Sequence, residues 1–166
     1  MRFLVPALCM SVAPLTAASL SQSERDELLK ALDRSAKVFT ASLAGVSEVQ
    51  WKFKAAPDRW SILECAEHVA VADQMMFTFA SQQLGKIPPA KDPQRRSDEA
   101  IRDAASDRSH KVKTAEFLEP KARYATPADA LAAFRKSRDA VAEYVRTTQD
   151  DLRSRGIQSP NGYVDG

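Results

Sequence analysis

Few residues in this sequence could do chemistry, and the most suggestive group is Glu64, Glu67 and His68. Glu64 and His68 are four residues apart, so a helix would place them on one face, and Glu67 adjoins the histidine. This spacing can present a carboxylate and an imidazole to one metal ion, or let a carboxylate orient the imidazole ring. A transition-metal site normally takes three or four protein ligands, so these residues alone predict an incomplete site. The alternative is that His68 is an ordinary helix histidine on the surface or in the core.

Other catalytic patterns are missing from the sequence. The second histidine, His110, lies between Ser109 and Lys111 on a polar segment, and neighbouring cations disfavour a bound metal cation. The sequence has no Gly-x-Ser-x-Gly elbow, no Gly-rich phosphate loop, no Cys-x-x-Cys pair and no His-Glu-x-x-His motif. We therefore assign no catalytic residue.

Three long helices would have to position these groups. The first begins at Ser21, whose spacing from Glu24 is that of a capping box. Gly45 is expected to end it as a C-terminal cap. Its apolar positions recur every three or four residues, which predicts one buried face. They are Leu28, Leu29, Leu32, Ala36, Phe39 and Leu43.

The second helix carries the candidate site. Ser61 caps it, and Glu64 supplies the other half of a capping box. Gly85 and the Pro88-Pro89 pair are expected to end it. Cys65 is expected to be a small buried hydrophobe rather than a nucleophile. The apolar stripe of this helix comprises Ile62, Cys65, Ala66, Val69, Ala72, Met76, Phe79 and Ala80.

The segment that joins the first two helices, residues 46–60, contains Trp51, Phe53 and Trp60. It is too aromatic for a free linker, so we expect it to lie across the end of the bundle. Both tryptophans are expected to be structural, and the alternative is that they form a binding platform.

A polar crossover, residues 86–125, precedes the third helix and is expected to hold one short helix over residues 97–105. Thr126 caps the third helix and Pro127 takes its first position. Arg138 and Thr148 interrupt its apolar seam, and Gly156 is expected to end it. The tail after Gly156 is predicted to be a loop. No internal repeat or low-complexity segment is present.

Composition limits the class of protein. The 166 residues include 24 basic and 22 acidic side chains, so the net charge of +2 gives no prediction of nucleic-acid binding. No apolar run reaches the roughly 18 residues that a membrane-spanning helix requires. With 5 glycines in the chain, helices are favoured over a glycine-punctuated β-sandwich. We predict an all-α, up-and-down bundle with a long crossover.

The first eighteen residues have the pattern of a secretory signal peptide. Arg2 is followed by the apolar stretch of residues 3–13 and then by small residues, so cleavage is expected after Ala18. The alternative is a first core helix, which Pro6 and Pro14 disfavour. Cleavage would leave residues 19–166 as one exported domain, periplasmic or secreted, with no membrane anchor. It would also remove Cys9 and leave one thiol, which excludes an internal disulfide.

The segment of residues 45–69, which includes Trp60-Ser61 and His68-Val69, resembles the signature of the DinB-like superfamily. The resemblance implies a four-helix bundle that holds a divalent metal through three histidines. One of them matches His68, and the other two form a His-x-x-x-His pair on the fourth helix. This sequence has no such pair, so the resemblance implies three helices of the bundle and an incomplete metal site.

Two functions follow from this resemblance. The first is a divalent-metal-binding protein of the hydrolase or thiol-transferase type, with His68 as a ligand and with Zn²⁺ or Ni²⁺ bound weakly or not at all. Export disfavours the transferase, because thiol-transferring relatives use cytoplasmic low-molecular-weight thiols. The alternative is a non-catalytic helical interaction module, or a truncated and inactive family member. A face left uncovered by the fourth helix would favour a homodimer. The sequence specifies no small-molecule substrate.

Overall fold

The protein is described by a computed structural model that covers residues 19–87, 97–107, 109, 113–152, 155–159 and 162–165. The predictions made for residues 1–18 and for His110 lie outside these described residues. Two short 3-10 turns follow α3 and precede α5, at Leu84–Lys86 and Glu116–Leu118. The α-helices are α1 (Gln22–Ser42), α2 (Glu48–Lys52), α3 (Ile62–Gln83), α4 (Asp98–Ser106) and α5 (Pro127–Thr147).

Capping boxes begin the three long helices, as predicted at Ser21 and Ser61, and the predicted cap Thr126 also forms one. The Ser21, Ser61 and Thr126 hydroxyls each accept a hydrogen bond from the backbone three residues on, and the acid there bonds back to the cap. Such reciprocal bonds satisfy backbone donors that a helix N-terminus leaves unpaired. A further capping box of Ser47 and Gln50 begins α2, a helix that we did not predict. Gly45 has a φ of 74°, in agreement with its predicted role at the end of α1.

Two contacts between α3 and α5, one near the start of both helices and one further along, show the relative direction of these helices. Ala66 near the start of α3 clusters with Ala130 near the start of α5. Further along, the ring of Phe77 lies 5.6 Å from the ring of Tyr144. The two helices therefore run parallel, and the crossover between them returns the chain to the end of the bundle where α3 begins.

α1 packs against α5 in the opposite direction. Phe39, late in α1, lies 4.6 Å from the ring of Phe134, early in α5. Arg25, early in α1, donates to the carbonyl of Val145, late in α5. The all-α class and the helical bundle are thus confirmed. The up-and-down alternation holds from α1 to α3, and the long crossover then makes α5 parallel to α3.

The core gathers at the end of the bundle where α3 and α5 begin. Trp51 of α2 is 6% exposed and packs with Ala66 and Ala130, which confirms its predicted structural role. Partly buried side chains complete the cluster: Phe39, Leu43, Val46, Ile62, Leu63 and Tyr124.

The predicted stripe of α3 is partly wrong. Ala66 and Ala70 are buried, but Cys65 is exposed, and Met76 and Phe79 are 70% and 52% exposed. Small side chains let neighbouring helices approach closely, so α5 packs on the alanine side of α3. The larger apolar residues lie on another side of this helix.

The end of α5 also differs from the prediction. The helix ends at Thr147, nine residues before Gly156. Thr148 leaves the helical conformation, and its carbonyl accepts a hydrogen bond from Arg25. The tail is an antiparallel pair of short strands, β1 (Gly156–Ser159) and β2 (Gly162–Asp165), instead of a loop. Within the described residues no helix is long and apolar enough to cross a membrane.

The two polar residues that interrupt the seam of α5 pair with other helices. Arg138 forms an ion pair with Asp73 of α3 at 2.9 Å, and its guanidinium lies over the ring of Phe134. Thr148 is contacted by Arg25 of α1. Arg138 therefore meets α3 through its charged side chain, whereas Thr148, directly after α5, meets α1 through its backbone carbonyl.

Candidate metal centre

His68 lies in the second turn of α3 and is half-buried. Its Nδ1 is 2.9 Å from the backbone carbonyl oxygen of Leu118. A carbonyl oxygen only accepts hydrogen bonds, so Nδ1 must carry the proton and donate it. In the neutral ring the lone pair is then on Nε2, which is the form that a metal ligand requires.

Trp60 packs against the imidazole. The two ring centroids are 5.1 Å apart and the planes are inclined by 49°. The indole is 38% exposed, and the structural role expected for Trp60 stays a prediction. Ser61 begins α3 directly after this residue, which brings the indole back over the second turn of the helix. Trp60 therefore covers one side of the ring of His68.

Leu118 is held near His68 by a buried carboxylate. Glu67 is 2% exposed, and its two oxygens accept hydrogen bonds from the backbone N–H groups of Lys121 and Arg123, at 2.7 and 3.1 Å. The guanidinium of Arg123 also donates to Glu67 at 2.8 Å. These bonds fasten the end of the crossover, a segment far away in sequence, to α3.

Glu64 has the capping role that its spacing from Ser61 predicted. Its carboxylate accepts a hydrogen bond from the Ser61 backbone at 2.7 Å and forms an ion pair with Lys54 at 2.8 Å. Burial alone would raise the pKa of Glu64, but the hydrogen bonds from Lys54 and Ser61 outweigh it, so the pKa lies below its usual value. The sequence left open whether a carboxylate orients the ring of His68 or shares a metal ion with it. The hydrogen bond of Nδ1 is to a backbone carbonyl and not to a carboxylate. The backbone carbonyl of Leu118 orients the ring instead.

Cys65 adds no nucleophile to this site. The residue is exposed, which corrects the prediction of a buried side chain. Partial burial of the thiol and the nearby charge of Glu64 both raise its pKa. At neutral pH the sulfur is therefore a neutral thiol, and the reactive form of cysteine is the thiolate.

The donor set fits a single metal-ligand position. Within the described part of the chain, no group of three or more His, Cys, Asp or Glu side chains is placed to hold a metal ion. The oxygens of Glu64 and Glu67 already bond to backbone and cationic partners. His68 is the residue whose remaining nitrogen is suited to a metal, and further ligands have to come from elsewhere.

Sequence reasoning found His68 but missed how it is held. The contact with Leu118 spans fifty residues, and the bonds of Glu67 span more than fifty. Helical spacing detects partners three or four residues away, so it pointed to Glu64. The one available signal was a carboxylate directly before the histidine on a predicted helix.

The arrangement is that of an all-helical bundle that presents one oriented imidazole. The family model of the DinB superfamily matches residues 31–165, and this chain belongs to that superfamily. Among solved structures it is similar to YfiT from Bacillus subtilis, described as a probable metal-dependent hydrolase with an unusual four-helix bundle topology. The match has a TM-score of 0.55 and 17% identity, and covers 89% of this chain and 75% of YfiT. No curated protein matches the sequence.

Proposed function

We propose that this protein binds a divalent metal through Nε2 of His68, in a site that its described residues leave incomplete. One observation carries the proposal: Nδ1 of His68 is bonded to the carbonyl of Leu118. Metal-ligating histidines almost always donate their other N–H to a carbonyl, carboxylate or water, which fixes the tautomer and the ring orientation.

Membership of the DinB superfamily and the likeness to YfiT support metal-dependent chemistry of the hydrolase or transferase type. A bound Zn²⁺ or Ni²⁺ would supply Lewis acidity at this position. The chain's own residues contribute an oriented ligand and shelter for it. Leu118 sets the tautomer, and the indole of Trp60 limits the approach of water from one side of the ring. With one ligand in place we assign no catalytic residue and no reaction step.

The decisive test compares three proteins: the 166-residue chain, a His68→Ala variant, and a version extended past Gly166 by a helix that carries a His-x-x-x-His pair. Metal content is measured by elemental analysis after equilibration with Zn²⁺ or Ni²⁺ and desalting. We expect the 166-residue chain to retain little metal, because one imidazole leaves the remaining positions to water. The extended version should retain one metal per chain, and His68→Ala within it should abolish that retention.

Two outcomes would overturn the proposal in different ways. A stoichiometric metal in the 166-residue chain that disappears with His68→Ala would show that the site is complete as it stands. If the extended version takes no metal, His68 loses its assignment as a ligand. The alternative of a non-catalytic helical module would then be the better account.

We also propose that residues 1–18 direct export and are removed after Ala18. The support is the order of Arg2, the apolar stretch and the small residues in the sequence. Mass spectrometry of the protein from its native host should find a chain that begins at Ser19. An intact Met1 terminus in the cytoplasmic fraction would contradict this proposal.

A further inference from the structure

We propose that Glu67 is the positioning residue of the site, because it holds the end of the crossover in the place where Leu118 fixes the tautomer and orientation of His68. The inference deepens the proposed function, and it rests on that function only in taking Nε2 of His68 as the nitrogen that meets the metal. The carboxylate of Glu67 bonds to Lys121 and Arg123 rather than to the imidazole. It acts through the backbone of residues 117–123.

The first step is the burial of the carboxylate. Glu67 is 2% exposed, and a buried charge is costly unless it is paired and hydrogen-bonded. Three bonds compensate it: two from the backbone N–H groups of Lys121 and Arg123 and one from the Arg123 guanidinium. All of them come from one short segment. The structure therefore pairs this carboxylate with a particular loop conformation.

The second step is the backbone of that segment. Ala122 has a φ of 54°, in the left-handed region that residues with a side chain seldom adopt. Its neighbours Lys121 and Arg123 are the residues whose N–H groups converge on Glu67. Backbone turned in this way forms a concave group of donors that suits an anion. The unfavourable φ persists because the carboxylate holds both flanking N–H groups.

The third step connects the loop to His68. The guanidinium of Arg123 donates to the carbonyls of Glu119 at 3.0 Å and Phe117 at 3.1 Å, the residues on either side of Leu118. Glu67 thus holds Arg123, and Arg123 holds the backbone around Leu118. The carbonyl of Leu118 is left to accept the proton of His68 Nδ1.

Adjacent positions on one helix make this arrangement precise. Glu67 and His68 point about 100° apart around α3, because the helix has 3.6 residues per turn. The carboxylate of Glu67 anchors the segment of residues 117–123, and the imidazole of His68 donates a hydrogen bond to a carbonyl of that segment. The distance from the Glu67 carboxylate to the imidazole is therefore set by two consecutive residues of a helix rather than by the long crossover.

The test uses nitrogen NMR of the metal-free chain, whose two histidines give a simple spectrum. His68→Ala identifies the signals of His68. The wild-type protein should show one tautomer, with the proton on Nδ1 and slow exchange of that proton. In Glu67→Gln an amide N–H₂ replaces one accepting oxygen, so we expect the two tautomers to be averaged and the Nδ1 proton to exchange at least about tenfold faster.

Two further variants separate positioning from stability. Glu64→Gln removes a carboxylate from the same turn of α3 and weakens a helix cap, yet it should leave the tautomer of His68 unchanged. Ala122→Val leaves Glu67 intact but places a β-branched residue at a positive φ, and it should reproduce the tautomer averaging. In the extended version described above, Glu67→Gln should weaken Zn²⁺ affinity about 10- to 100-fold.

The proposal fails if folded Glu67→Gln and folded Ala122→Val both keep a single Nδ1-protonated tautomer. It also fails if Glu64→Gln averages the tautomers as strongly as Glu67→Gln does, since the effect would then follow from general loosening of α3. These readouts need no metal, so an extended version that takes no metal would refute the proposed function and leave the positioning role intact.

Discussion

Each end of the bundle has an arginine that donates to two backbone carbonyls, but Arg25 reaches a distant part of the sequence and Arg123 reaches its own segment. At one end, which we call the Arg25 end, Arg25 of α1 is 7% exposed and donates to the carbonyls of Val145 and Thr148, where α5 ends. At the other, the His68 end, Arg123 donates to the carbonyls of Phe117 and Glu119.

The difference between these ends is the buried carboxylate. Arg25 donates to two carbonyls at the end of α5, where a cation favourably meets the negative end of a helix dipole. At the His68 end, Glu67 accepts hydrogen bonds from the Arg123 guanidinium and from two backbone N–H groups. Glu67 directly precedes His68 in the sequence. At the Arg25 end, a cation alone binds the carbonyls where α5 ends. At the His68 end, an anion and a cation together hold a segment with a positive φ beside an imidazole.

The largest effect is expected from Glu67→Ala. This change removes the buried partner of two backbone N–H groups and of the partly exposed Arg123 guanidinium, and each buried donor left unsatisfied costs about 1–3 kcal/mol. Urea unfolding followed by circular dichroism measures the loss. A loss smaller than that of Arg25→Met would contradict the view that the carboxylate is what distinguishes the His68 end.

Arg25→Met should have a smaller effect that is confined to its own end. The substitution keeps an apolar stem of similar length and leaves two carbonyls at the end of α5 unpaired, at a cost of about 1–3 kcal/mol. The NMR signals of His68 should not move. If they shift as they do in Glu67→Gln, the two ends are coupled and the comparison is wrong.

Trp60→Ala sharpens the comparison within the His68 end. The indole is 38% exposed, so we expect a loss of about 0.5–1.5 kcal/mol from the ring contact with His68, beyond the contribution of the area that the indole buries. Trp51→Ala is the matched control and should cost clearly more, because Trp51 is 6% exposed and lies in the core cluster. Equal losses in thermal unfolding would show that Trp60 is a core residue after all.

The smallest effect concerns pH and Glu64. The pKa of Glu64 in the folded chain is below the usual value of 4.5, so the folded state binds fewer protons there than the unfolded state does. The stabilisation from this carboxylate is complete above that value and is lost as the pH falls below it. Urea midpoints measured from neutral pH down through 4.5 should decline less steeply in Glu64→Gln than in the wild type. Parallel declines would show that the cap carries no pH dependence.

Local patterns in the sequence predicted the helices well, and they failed where distant residues decide the structure. Ser61 and Thr126 predicted the starts of α3 and α5 correctly, because a cap bonds to residues within one helical turn. Thr148 ends α5 with the help of Arg25, a residue more than a hundred positions earlier. His68 was predicted as a ligand from its spacing and its resemblance, and that assignment stays a prediction. Its partner Leu118 contributes a backbone carbonyl, which no sequence pattern marks.

The most direct test of this account is a Zn²⁺ titration of the wild-type chain, followed through the ring nitrogens of His68 by NMR. We expect the Nε2 signal to move as Zn²⁺ is added while the Nδ1 proton remains bonded and slow to exchange. His68→Ala should remove the response. A titration in which Zn²⁺ displaces the Nδ1 proton, or in which His68 does not respond at all, would contradict the claim that this fold presents Nε2 to a metal.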